Sequence, residues 1–166
     1  METIFTTYFA SPIGDLKLIA DHARLRSIQF DSHSTPDSQY MPLILQQTIT
    51  QLTEYFAGTR KHFELALAPK GSEFQQKIWK LVERIPYGAT ASYRDIAQQS
   101  GSEKKARAVG LANGKNPIPI IIPCHRVIGS NGQITGYAGG LERKRFLLLH
   151  EQKYSTPQHQ LFQSHE

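Results

Sequence analysis

The chain has a single cysteine in 166 residues, which excludes an internal disulfide and any zinc site built from several thiolates. Its seven histidines show no HExxH-like spacing, so neither a metal nor a cofactor is expected. No stretch nears the roughly 20 apolar residues that a bilayer-spanning helix requires. Met1-Glu2-Thr3 opens no signal peptide with a basic start and an apolar core. Internal repeats and low-complexity tracts are missing too. These absences point to a cytoplasmic protein, in a compartment where a thiol stays reduced, and set membrane and disulfide-framework classes aside.

What the chain does have is an uneven charge. The net charge is +5, with five basic against seven acidic residues in 1–69 and thirteen against six in 70–151. A basic half favours a polyanionic partner, although a basic surface is also simply solubilising. At this length the chain forms one domain or two small ones, and it buries most of its apolar surface without staples.

Residues 1–69 read as an α/β unit. Tyr8 to Ala20 and Arg24 to Phe30 suggest a hairpin turning at Asp21-His22, with Leu16, Leu18 and Ala20 alternating with Lys17 and Ile19. Leu45, Ile49, Leu52 and Phe56 lie on one face of a helix spanning 41–56, which Ala57-Gly58-Thr59 stops. Phe63 to Leu67 alternates as a further strand. Nothing here suggests chemistry, so this half is expected to buttress the other.

Pro69-Lys70-Gly71 marks the boundary to a mostly helical unit, 70–151. Ser72 with Gln75 makes a capping box for a helix whose apolar face is Phe74, Ile78, Leu81, Val82 and Ile85, with Trp79 as a core residue, and Pro86-Tyr87-Gly88 ends it. Ser92 with Asp95 makes a second box, closed at Gly101, and Ser102 starts another helix reaching about Asn113. Two short helices around Ser100-Gly101-Ser102 read as a helix-turn-helix. Residues 152–166 read as a polar, mobile tail.

The most informative stretch is Pro123-Cys124-His125-Arg126-Val127, directly after the apolar run Ile118 to Ile122. That run suggests a buried strand ending in a thiol and an imidazole. Pro117, Pro119 and Pro123 stiffen the approach. Free cysteine is often only a small core residue, and a neighbouring histidine adds little by itself. A nucleophilic thiol needs a base or a favourable field, for which His125 and Glu151 are candidates.

The wider pattern resembles the O6-alkylguanine-DNA alkyltransferases, the methylated-DNA protein-cysteine methyltransferases, in their single-cysteine form. The matching residues are Ile121 to Val127, Gly136-Tyr137, Gly139-Gly140-Leu141 and Leu147 to Glu151. Upstream they are Tyr87-Gly88, Ser92-Tyr93, Ala106 to Gly110 and Asn116-Pro117. The resemblance implies a small sheet-plus-helix N-terminal domain, ribonuclease-H-like, before a helical domain with a helix-turn-helix of winged-helix type.

It also implies a reaction, in which an alkyl group passes irreversibly from guanine O6 to Cys124 after the nucleotide flips out of double-stranded DNA. The proton route runs from Cys124 through a water to His125, oriented by Glu151. Tyr93 would hydrogen-bond the departing base, and Asn116 would tie the helix-turn-helix to the active-site segment. Arg107 would fill the gap left by the flipped nucleotide, with Ala106, Ala108 and Gly110 at the minor groove and Lys104, Lys105 and Lys115 on phosphates. Val127, Tyr137, Ala138 and Gly139 would line the lesion pocket. A solvated charged face is the plainer reading of the lysines, and helix-start packing that of Tyr93. A monomer is expected to suffice; cooperative assembly on DNA and repair of O4-alkylthymine are left open. The competing readings are a lesion-binding protein without chemistry, a cysteine hydrolase and a transcriptional regulator.

Overall fold

The computed structural model describes residues 2–31 and 40–155. Three antiparallel strands in the order β1-β2-β3 open the chain: β1 is Phe5–Ser11, β2 Gly14–Ala20 and β3 Leu25–Phe30. The segment expected as one strand from Tyr8 to Ala20 is therefore two, because Pro12 and Ile13 turn the chain and Gly14 takes φ 106°, a left-handed value glycine reaches without strain. Beyond the turn the expected alternation holds. Leu16, Leu18 and Ala20 are fully buried, each leucine stabilising the fold by about 1.5–3 kcal/mol on removal from water.

Helix α1, Leu43–Phe56, covers the sheet. Its buried face is Ile44, Leu45, Thr48, Gln51, Leu52 and Tyr55, rotated from the expected stripe so that Ile49 and Phe56 sit half-buried at its edge. Residues 63–67 do not form the expected strand. They alternate between half-buried and exposed, but among the described residues they meet β3 only through a single parallel bridge, Leu25 to Leu67.

Both capping boxes are present. Ser72 accepts from the Gln75 N–H and Gln75 answers to the Ser72 N–H, starting α2, Glu73–Glu83. Ser92 and Asp95 do the same for α3, Tyr93–Ser100. Trp79 is buried in the core, and its indole N–H donates to the Ala112 carbonyl at 2.9 Å, fastening α2 to the next helix. That helix, α4, is Ala106–Gly114, preceded by a 3-10 turn at Glu103–Lys105. Lys104 and Lys105 therefore sit on the turn rather than on the helix proper.

The apolar run before the cysteine is not a strand. Pro117, Pro119 and Pro123 cannot donate to a ladder, and the run folds into buried turns instead, with the Ile122 N–H donating to the Ile118 carbonyl and Ile120 at φ 75°. Cys124–Arg126 forms a 3-10 turn leading into β5, Val127–Ile128, which pairs in parallel with β4, Ala91–Ser92. This two-residue pairing sets the start of α3 beside the cysteine turn. Helix α5, Leu141–Ser155, closes the fold and reaches into the segment expected as a tail. Residues 156–166 of that segment lie outside the described residues.

Candidate active site

Cys124, His125 and Glu151 come together in the interior. Cys124 is 4 % exposed, His125 0 % and Glu151 1 %. Helix α5 delivers the acid because Lys144, Leu147 and Glu151 recur at the spacing of one face, and all three are buried. A buried carboxylate needs partners, and this one has five donors. Oε2 meets His125 Nε2 at 2.7 Å, the Tyr55 hydroxyl at 2.7 Å and Arg126 Nη2 at 3.0 Å. Oε1 accepts from Arg126 Nε at 2.8 Å and from the Gly88 N–H at 3.3 Å. Hydrogen bonds and charge from His125 and Arg126 outweigh burial and hold the Glu151 carboxyl well below its usual range.

That arrangement fixes the imidazole. An ionised carboxylate only accepts, so His125 Nε2 carries the proton and Nδ1 is left as an acceptor. Nδ1 is buried and has no hydrogen-bond partner in the protein. Burial depresses His125 below its ordinary 6.5 despite Glu151, leaving it neutral near pH 7. Burial also pushes the Cys124 thiol up to about 11, partly countered by a hydrogen bond from Asn116 and the nearby Lys144 charge. At rest the site is thus a protonated thiol next in sequence to a neutral base.

The Lys144 amine was not foreseen. Its Nζ donates to the carbonyls of Val127 and Thr135 at 2.6 Å each and of Gly136 at 3.1 Å, and lies 3.5 Å from the Tyr93 hydroxyl. Burial lowers it to about 8. Tyr93 donates to the Thr135 carbonyl at 3.0 Å, and burial raises its phenol, keeping it a donor. A lysine three residues before Leu147 and seven before Glu151 was the available signal, since it shares their helix face. Asn113 was also missed: its Nδ2 donates to the Cys124 carbonyl at 3.1 Å, linking α4 directly to the cysteine turn. Asn116 donates to the Ile122 carbonyl at 2.8 Å while accepting from the Ile118 N–H at 2.9 Å, bracing the turns that lead to the cysteine.

The residues expected to meet DNA lie outside this interior. Lys104, Lys105, Arg107, Ala108 and Lys115 are exposed, and Ala106 and Gly110 half-exposed. Leu111, one turn after Arg107, is 68 % exposed and was not foreseen. Of the expected pocket residues, Val127 is fully buried, while Tyr137 and Gly139 are half-buried and Ala138 is exposed. A Cβ on Gly139 would come within 2.7 Å of the Phe30 ring, so a larger residue here would have to push that ring aside. The Val127 carbonyl accepts from Lys144, and the Cys124 carbonyl accepts twice, from the Asn113 amide and from the Val127 N–H that closes the 3-10 turn.

Comparison with known proteins follows the same division of the chain. Residues 4–69 match the ribonuclease-like domain of 6-O-methylguanine DNA methyltransferase, and residues 73–153 match its DNA binding domain. The chain belongs to this family. It is 46 % identical over 150 residues to the methylated-DNA–protein-cysteine methyltransferase of Methanosarcina acetivorans, covering 87 % of this chain and 96 % of that one. It is 42 % identical to the Mycobacterium tuberculosis O6-methylguanine methyltransferase, whose crystal structure superposes with a TM-score of 0.84 over 96 % of this chain and 99 % of that one. A second M. tuberculosis structure, of OGT in complex with DNA, is 44 % identical with a TM-score of 0.82 over 90 % and 93 % of the two chains. An N-terminal antiparallel sheet domain followed by a helical domain is thus the family architecture, as expected. Among the described residues no helix is long and apolar enough to cross a membrane.

Proposed function

We propose that the protein repairs DNA by direct reversal, transferring an alkyl group from guanine O6 in a duplex to the sulfur of Cys124. A bond forms between that sulfur and the alkyl carbon as the carbon–O6 bond breaks. The thiol proton passes to His125 through a water; the departing guanine takes up one proton on its ring from solvent, and His125 returns its own to solvent, so the site ends neutral. Tyr93 supplies a hydrogen bond to the departing base. A thioether is not readily hydrolysed, so each molecule acts once, and a monomer suffices.

The observation that carries this reading is the buried Glu151–His125 pair, which leaves an unpartnered imidazole acceptor next in sequence to the only cysteine. Because Cys124 is buried, the base must leave the helical stack to reach it. Arg107 and the exposed face of α4 then hold the duplex, with Lys104, Lys105 and Lys115 on phosphates. The presence of Cys124 weighs against a lesion-binding protein without chemistry.

Intact-protein and peptide mass spectrometry tests the reading after incubation with a duplex holding O6-methylguanine. One methyl group per protein, on the peptide with Cys124, is expected, and none for Cys124→Ala, which still binds the duplex. Transfer that survives Cys124→Ala would overturn the mechanism.

A further inference from the structure

The N-terminal half does more than buttress. Helix α1 sends one side chain across into the helical half, where Tyr55, fully buried, donates its hydroxyl to Glu151 Oε2 at 2.7 Å. His125 Nε2 meets the same oxygen at 2.7 Å. We propose that Tyr55 is a positioning residue for alkyl transfer: its hydroxyl aims Glu151 Oε2 at His125 and limits how tightly that carboxylate holds the imidazole proton. The proposal rests on the roles given above to Cys124 and His125.

The geometry of the carboxylate explains why one hydroxyl matters. Arg126 grips both oxygens, and the Gly88 N–H takes a further place on Oε1. Tyr55 is the donor that, beyond Arg126, shares Oε2 with the imidazole. A hydrogen bond to an ionised acceptor is short and strong, so it both restricts rotation of the carboxylate and draws charge from the lone pairs facing His125. The phenol stays protonated, because burial and the adjacent Glu151 raise it well above its ordinary value.

Packing alone does not account for a tyrosine here. The ring lies among Phe56, Phe63, Tyr87 and His150, contacts that phenylalanine would preserve. The charged and titratable groups facing His125 are Glu151 and Lys144 from α5 and Arg126 from its own turn; Tyr55 reaches it by a hydrogen bond to Glu151, whereas Tyr87 lies near that carboxylate with its hydroxyl unbonded. Of these, Tyr55 alone joins the site from residues 1–69.

The test is the single-turnover transfer rate as a function of pH. Removing the hydroxyl in Tyr55→Phe leaves more charge on Oε2 for His125, which then keeps its proton to higher pH. The acid limb of the profile is expected to move up by about half to one pH unit, and the rate on that limb to fall about three- to tenfold, since one unit is tenfold in protonation. Fluorotyrosine at position 55 has a more acidic phenol and donates more strongly, so it moves the limb down. Tyr87→Phe removes a hydroxyl from the same aromatic cluster that has no hydrogen-bond partner, and leaves the limb in place. NMR titration of His125 in the three proteins reports the same shifts without any transfer. An unmoved limb in Tyr55→Phe, shifts of one sign for both substitutions at 55, or an equal shift in Tyr87→Phe would overturn the proposal. A wild-type protein that gains no methyl on Cys124 would instead overturn the reading beneath it.

Discussion

Glu151→Gln is the substitution whose consequences follow most fully from the site. Every group around the side chain is a donor: the His125 and Tyr55 protons, two from Arg126 and one from Gly88. An amide offers one oxygen to this ring and turns its own NH2 towards the remaining donors. Arg126, its side chain 7 % exposed, is left buried with no counter-charge. Breaking one partner of a buried ion pair costs about 3–5 kcal/mol, and at roughly 2–4 °C per kcal/mol for a chain of this size the melting temperature falls by about 6–20 °C. Transfer slows by about 100-fold or more, the scale of losing an oriented base. Thermal unfolding by circular dichroism and single-turnover transfer on the same preparation measure the two effects. Stability within about 1 kcal/mol of wild type, or transfer within about threefold, would refute the account.

The pH dependence of stability has a definite sign. Glu151 is depressed from its ordinary 4.5, so its stabilisation is complete above that value and declines as pH falls towards the depressed one. His125 is depressed from 6.5; below 6.5 the unfolded chain binds its proton first, which again favours unfolding on acidification. Wild type should therefore lose stability progressively from about pH 6.5 downward, and Glu151→Gln should lack the carboxylate part of that decline below about 4.5.

Three further outcomes are expected. Arg107→Ala, on the exposed face of α4, should slow transfer from duplex DNA strongly while leaving transfer from the free O6-methylguanine base unchanged; equal losses on both substrates would rule out a flipping role. Each of Lys104, Lys105 and Lys115 changed to Ala should reduce the slope of log affinity against log salt by about 0.9, and an unchanged slope would remove that lysine from the phosphate contacts. Lys144→Met removes a charge that favours the thiolate, so transfer should slow. The wild-type rate should turn down above about pH 8, where Lys144 deprotonates, and a matching downturn in Lys144→Met would assign it elsewhere.

How much was legible in advance depends on how local the determining interaction is. Both capping boxes were readable because Ser72 and Gln75, or Ser92 and Asp95, satisfy each other within one helical turn. The Pro12-Ile13 turn was missed because apolar alternation runs on both sides of it. Ile118 to Ile122 was misread because a buried apolar run does not itself distinguish a strand from packed turns; three prolines without N–H groups decided the matter. Cys124, His125 and Glu151 were visible through a family pattern, whereas Tyr55 lies 96 residues from its partner and Lys144 acts on carbonyls from β5 and from the loop at Thr135. Side chains whose role exists only across the fold leave no local signal.

The electrostatics of the resting site run against easy ionisation, and that opposition has a purpose in the chemistry. With burial raising the thiol to about 11 and depressing His125 below its ordinary value, moving the proton between them is uphill. A thiolate is therefore a rare state until a flipped base sits over it. Burial that disfavours the charged sulfur also favours any step that consumes the charge. Carbon transfer does so: the thioether needs neither a base nor a counter-ion, and the Lys144 charge and Asn116 hydrogen bond that eased ionisation have nothing left to stabilise. The low-dielectric setting thus withholds the nucleophile from casual electrophiles, while the stability of the thioether makes each molecule act once.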